Sequence, residues 1–206
     1  MPQLSLFEAS ETVVADDERG RIAYDARFVS PDLARKWFAE LRQAVPWKAE
    51  RRRMYDRDVD VPRLTAHFHL SEEGPAAERV PEAIRQAAHR IIAQTGVPFN
   101  SVGLNLYRDG RDSVAPHNDH LDVLVEGFPI ALVSLGATRR MTIRAKKPPR
   151  RVLHVDLAAG SLLLMSYQTQ RHYDHGVPKT AETVGERISL ALRVKPATAA
   201  SADPYR

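Results

Sequence analysis

The sequence predicts an α+β protein in which two helices precede a sandwich or jelly-roll barrel of short strands. Three observations predict it. Before Gly96, apolar residues recur at helical spacing in two stretches. After Gly96 the period becomes alternating, in short runs. Turn-forming residues separate those runs.

In chain order, residues 1–20 are polar and acidic and are expected to form a flexible N-terminal tail. Ser30-Pro31-Asp32 reads as an N-cap followed by proline in the first turn of a helix. Leu33, Trp37, Leu41 and Ala44 then line one helical face, and Pro46 ends it. Residues 59–70 read as a hairpin or a lid. A second helix begins near Pro81, with Val80, Ile84, Ala87, Ala88, Ile91 and Ile92 as its stripe and Gly96 as its stop. Strands are expected at 101–107, 130–135, 140–144, 152–155, 161–167 and 187–194. Asp109-Gly110, Gly127, Gly136, Pro148-Pro149, Gly160 and Gly176 punctuate them. Residues 196–206 are expected to be a flexible C-terminal tail, which leaves a single domain over 21–195.

A chain of 206 residues can bury a core without disulfides. It contains no cysteine, which excludes disulfides, thiolate metal sites and cysteine nucleophiles. This composition fits a reducing compartment, and a cytoplasmic location is expected. No apolar run reaches the ~18 residues of a membrane span, so no membrane partner is expected. Met1 to Ser10 lacks a secretory pattern, and a monomer is expected. The net charge of +4 allows an anionic partner. Basic residues cluster at Arg51-Arg52-Arg53 and again from Arg139-Arg140 through Arg144, Lys146, Lys147, Arg150 and Arg151.

His117-Asn118-Asp119 follows a strand and turn, and His175 lies at the end of another strand. Two imidazoles and one carboxylate on one face of a metal leave three positions open, the pattern of non-haem iron(II) oxygenases. A bidentate 2-oxo acid fills two of them and dioxygen the third. In extended backbone His117 and Asp119 point to the same side, and His175 is expected from a facing strand. His120, His154 and His172 compete as ligands, with His172 read as a loop or supporting residue.

The last strand strengthens this reading. Alternation puts Ile188, Leu190, Leu192 and Val194 on one face and Arg187, Ser189, Ala191 and Arg193 on the other. Two arginines separated by small residues suit a dicarboxylate, because the guanidinium fork binds carboxylate through two hydrogen bonds. Asn105 and Tyr107 share a face of their own strand and offer an amide and a phenol to the same cavity.

Asn105-Leu106-Tyr107-Arg108-Asp109-Gly110, His117-x-Asp119, Pro129-Ile130-Ala131 with Ser134-Leu135-Gly136, Gly160-Ser161-Leu162-Leu163, His175 and the Arg187-to-Arg193 strand occur in that order. Together, over about Asp56 to Val194, they resemble the AlkB family of nucleic-acid dealkylases. Pro62-Arg63-Leu64-Thr65-Ala66 resembles the lid of its eukaryotic DNA-repair branch, placing a nucleotide-recognition lid at about 50–75. The resemblance implies a double-stranded β-helix, with iron(II) at His117, Asp119 and His175. It implies 2-oxoglutarate at Asn105, Tyr107, Arg187, Ser189 and Arg193. The implied reaction consumes dioxygen and demethylates N-alkylated bases in DNA or RNA, releasing formaldehyde, succinate and carbon dioxide. Substrate contacts are expected from Arg63, His67, Phe68 and Asp122. Two positions depart from the family pattern. Leu121 stands where repair enzymes usually carry an acid, and His67-Phe68-His69 stands where an aromatic platform is common. The same chemistry on a protein, lipid or small molecule is the open alternative.

Overall fold

The computed structural model describes residues 11–54, 56–70 and 79–196, with backbone only at 52–54 and 57–59. Along the chain come β1 (Glu11–Asp17), β2 (Gly20–Asp25), α1 (Pro31–Ala44), β3 (Lys48–Met54) and β4 (Arg57–His69). Then follow α2 (Glu82–Thr95), β5 (Ser101–Tyr107), β6 (Val114–His117) and a 3-10 turn (Leu121–Val123). The rest comprises β7 (Ile130–Gly136), β8 (Arg139–Ala145), β9 (Val152–Leu157), β10 (Ser161–Met165), α3 (Tyr167–His172), β11 (Tyr173–Val177) and β12 (Arg187–Arg193).

Both long helices form where their patterns place them. The Ser30 hydroxyl accepts the Leu33 N–H at 3.3 Å, and Pro31 opens α1. α2 ends at Gly96, whose φ of 68° is left-handed and suits a residue without Cβ. The Trp37 indole donates to the Gln86 carboxamide at 2.9 Å and ties the two helices together.

All described strand pairs are antiparallel. They form a large sheet in the order β1-β2-β10-β7-β12-β5-β4-β3 and a small one in the order β6-β11-β8-β9. This arrangement is consistent with a jelly-roll. Two apolar layers result. One lies between the helices and the large sheet, and joins Trp37, Leu41, Ile84 and Ile91 to Leu104, Val133, Leu190 and Leu192. The other lies between the sheets, and joins Leu132, Leu163 and Ala191 to Met141, Ile143 and Tyr173. Each buried leucine or isoleucine contributes roughly 1.5–3 kcal/mol. The alternation in β12 is therefore a division of labour: one face holds the helices and the other faces the gap between the sheets.

Two expectations change, and the segment 59–70 takes the hairpin form of its two readings. The acidic segment expected as a tail over 1–20 contains β1, held because Ala15 is buried and Arg21 pairs with Glu11 and Asp16. Residues 1–10 lie outside the described part, as do 197–206 of the expected C-terminal tail. The strand expected over 161–167 stops at Met165, because the chain turns at Ser166 into α3. The segment 59–70 belongs to a β3–β4 hairpin on the edge of the large sheet, while 71–75 of the expected lid lie outside the described residues. Among the described residues, no helix is long and apolar enough to cross a membrane.

Candidate metal and co-substrate site

His175 on β11 pairs directly with His117 on β6. The second histidine thus comes from the neighbouring strand of the same sheet, and not from a facing strand as expected. The two rings lie 4.5 Å apart between centroids. Asp119 follows in the turn after β6, and its carboxylate joins them. The three candidate ligand atoms all lie within 4.8 Å of one another. Gly176 permits this close approach, since a Cβ there would stand 2.8 Å from the Val114 carbonyl and 3.0 Å from the Pro116 nitrogen.

Protonation suits metal binding. His117 Nδ1 lies 2.9 Å from the Ala115 carbonyl, which fixes a proton there and leaves Nε2 as the ligand atom. Burial pushes His175 down to about 3, with His117 adding to the effect. Burial also lowers His117, and Asp119 partly opposes it. Both rings are therefore neutral at physiological pH. For Asp119, burial alone would favour the protonated acid. Arg193 overrides it and holds the carboxyl well below the usual range.

The facing sheet supplies the cations. The β5–β12 register sets Tyr107 opposite Arg187 and Asn105 opposite Ser189. Arg193 donates from Nε and Nη2 to the two Asp119 oxygens at 2.6 and 3.1 Å. Both arginines were expected to close on one ligand; both line the same cavity, and Arg193 also grips the Asp119 carboxylate. Arg187 differs. It is 1% exposed and donates from Nη2 to Ser134 at 2.8 Å, while its Nε and Nη1 have no hydrogen-bond partner among the described residues. Its guanidinium lies 5.0 Å from the centre of the Tyr107 ring. Buried donors of a charged group left unpaired cost several kcal/mol unless an anion satisfies them. Arg187, Arg193, Asn105, Tyr107, Ser189, Arg63, His117 and His175 line one narrow cavity. Its volume is about 40 Å³, space for a few ordered waters, so a larger ligand would have to displace side chains to enter.

These observations meet the requirements of the implied groups. Two imidazoles and a carboxylate fit iron(II) with positions to spare. The orphaned Arg187 nitrogens fit a carboxylate deeper in the cavity.

Of the expected substrate contacts, Arg63 is buried in the cavity wall and donates from Nε to the Asn105 carboxamide at 2.7 Å. His67 shares its strand face and lies 2.9 Å from the Ser101 hydroxyl. Phe68 is a correction. β4 alternates, so Phe68 points with Leu64 and Ala66 into the helix-facing core and cannot stack on a base over the metal. Asp122 is exposed on the 3-10 turn, outside the cavity lining. Leu121 packs against the core between the sheets. Among the competing histidines, His154 lies 3.3 Å from Thr142 across the β8–β9 pair, and His172 ends α3. Sequence reading missed Gln170, whose side chain accepts the Asp119 N–H at 3.0 Å. No sequence spacing announces a contact across 51 positions.

A two-histidine, one-carboxylate site between the sheets of a jelly-roll-like fold, beside a buried cationic cavity, is the arrangement of a non-haem iron oxygenase. A model of the 2OG-Fe(II) oxygenase superfamily matches residues 22–193. DNA oxidative demethylase ALKBH2 of Homo sapiens is 40% identical over 126 residues, 58% of this chain and 46% of that protein. Alpha-ketoglutarate-dependent dioxygenase alkB homolog 3 of Mus musculus is 31% identical over 219 residues, 93% of this chain and 76% of that protein. A crystal structure of a Pseudomonas putida prolyl-4-hydroxylase shares the fold, with a TM-score of 0.53 at 17% identity, covering 85% of this chain and 93% of that one. The chain belongs to the AlkB family within the 2OG-Fe(II) oxygenase superfamily. It spans about half the length of the mammalian ALKBH2 proteins it matches.

Proposed function

We propose that this protein is an iron(II)- and 2-oxoglutarate-dependent dioxygenase that removes N-methyl groups from bases in DNA or RNA. The observation that carries the proposal is Arg187, a buried guanidinium with two nitrogens unpaired among the described residues, in the same cavity as His117 and His175. The names of the AlkB relatives support the nucleic-acid substrate.

In this reading His117, Asp119 and His175 hold iron(II), which, with 2-oxoglutarate and dioxygen, supplies an oxidant for the substrate methyl group. Arg187 anchors the far carboxylate of 2-oxoglutarate, with Ser134 holding the guanidinium in place. Tyr107 and Asn105 add polar contacts along the cavity, and Ser189 leaves room for the chain of the ligand. Arg193 keeps Asp119 ionised and aimed while it lines the passage. Burial of Asp119, His175, Arg187 and Arg193 limits water at the reacting centre, with His117 on its more open side. The oxidised methyl leaves as formaldehyde, and 2-oxoglutarate becomes succinate and carbon dioxide.

The β3–β4 hairpin serves as the nucleotide-recognition lid, with Arg63 and His67 on its cavity-side face. Asp122 is the acidic group available to a base edge, since Leu121 is committed to packing. Base flipping would carry the methylated base out of its stack to the metal. Exposed Arg144, Lys147 and Arg150 supply charge for phosphates.

A mass-spectrometric screen of methylated single- and double-stranded oligonucleotides, with iron(II), 2-oxoglutarate and air, tests the proposal. At least one N-methyl base is expected to lose its methyl group with release of formaldehyde. Succinate formed without formaldehyde on every oligonucleotide would move the reaction to a protein, lipid or small-molecule substrate.

A further inference from the structure

We infer that Gln170 positions Asp119 for the metal, and that Lys146 locks Gln170 and Asn118 into that task. The inference rests on the metal reading above and goes beyond it to residues that touch no metal.

Gln170 lies on α3 and is 1% exposed. Its Oε1 accepts the Asp119 backbone N–H at 3.0 Å. Its Nε2 donates to the Thr169 hydroxyl at 3.0 Å, and that hydroxyl donates to the Ser166 carbonyl at 2.6 Å. The amide therefore has one usable orientation. Its nitrogen is taken, and its oxygen must face Asp119. On the other side of the same residue, the Asn118 side-chain amide donates to the Asp119 carbonyl at 2.9 Å. Both polar ends of Asp119 are thus held, while Arg193 holds its carboxylate.

Lys146 joins these parts. Its Nζ donates to Asn118 Oδ1 at 2.7 Å and to the Gln170 carbonyl at 2.8 Å, with Asp174 at 3.6 Å. Its own N–H donates to the His172 carbonyl at 2.9 Å. One ammonium, on the residue just after β8, therefore links the middle residue of His117-Asn118-Asp119 to α3. The geometry assigns a use to the helical turn before His175: it fixes the Asp119 peptide so that the carboxylate cannot swing away from the two imidazoles. Partners of this kind, acting through a ligand, commonly alter metal affinity about 10–100-fold.

The test is an anaerobic titration of the metal-free protein with cobalt(II), read by visible absorption, alongside thermal unfolding of the same metal-free samples. Gln170→Ala is expected to weaken cobalt(II) binding at least about tenfold. Gln170→Glu retains an acceptor facing the Asp119 N–H, if the Thr169 hydroxyl turns to donate to its other oxygen, and is expected to lose less affinity than Gln170→Ala. Lys146→Met, farther from the metal, should fold even if the glutamine variants do not, and should weaken binding several-fold. Wild-type affinity in Gln170→Ala or, should that variant not fold, in Lys146→Met would overturn the inference. So would a loss in Gln170→Glu equal to that in Gln170→Ala, or a drop in unfolding temperature with affinity unchanged. His117→Ala is the control for the reading beneath. If it binds cobalt(II) like wild type, the metal assignment itself is wrong.

Discussion

Asp119 is buried, yet it must stay ionised to serve a metal. Arg193 resolves that conflict with hydrogen bonds to both carboxylate oxygens, at 2.6 and 3.1 Å. His175 meets the opposite demand, because burial keeps it neutral down to a pH of about 3. An unfolded chain takes up a proton at this histidine near 6.5, its unshifted value. The folded protein refuses that proton until far lower pH. The unfolded state therefore binds more protons below 6.5, and stability falls as the pH drops through that window. Metal-free His175→Asn is expected to lose less of its unfolding temperature between pH 6.5 and about 4 than wild type does. Equal slopes would contradict the buried, neutral assignment. Several of these residues were legible beforehand. The triad, Arg187 and Asn105 stand on alternating strands or in a compact motif. The placement of Phe68 was legible too, since Leu64, Ala66 and Phe68 alternate into one core. Gln170 and Lys146 were not. One looks like any polar helix residue, and the other is hidden within a basic run.

Among the elements, the β6–β11 pair decides whether the two imidazoles meet. It is short, contains Pro116 and Gly176, and changes register between His175 and Val177. Short strands with such residues carry almost no alternation, so a strand ending at His175 was expected without bounds, and its direct pairing with the segment before Asp119 was not. β5 and β12 were expected, because each is seven residues long and both of its faces have defined tasks. β1 escaped for another reason: its acidic residues look like a tail until Arg21 is seen pairing with them. Gly176 links this element to the chemistry. Gly176→Ala must push β6 outward, since the obstacles are backbone atoms of Val114 and Pro116. A stability loss of about 1–3 kcal/mol is expected, together with weaker metal binding. Chemical denaturation and metal titration would check both, and unchanged affinity would show that the pair tolerates separation.

For the whole molecule, one sheet serves two layers: its outer face binds the helices and its inner face carries the cations. The basic clusters divide in a similar way. Arg139 is buried and braces the carbonyls of Asp109, Asp112 and Pro178. Lys146 donates to the Asn118 side chain in the turn before Asp119, and Arg140 pairs with Asp156. Arg144, Lys147 and Arg150 remain on the surface. Composition could not separate these roles, because burial is a property of the fold. If the exposed three contact phosphates, replacing them together should flatten the plot of log affinity against log salt for duplex DNA by about two to three units. An unchanged slope would put the phosphate-binding face elsewhere.

If the triad and Arg187 form one site for iron(II) and 2-oxoglutarate, anaerobic addition of both gives a weak metal-to-ligand absorption band. That band is expected in the wild type and not in His117→Ala. In Arg187→Ala the band should require at least about tenfold more 2-oxoglutarate, since a charged hydrogen bond contributes roughly 1.5–3 kcal/mol. An undiminished band in His117→Ala, or an unchanged requirement in Arg187→Ala, would contradict the one-site assignment.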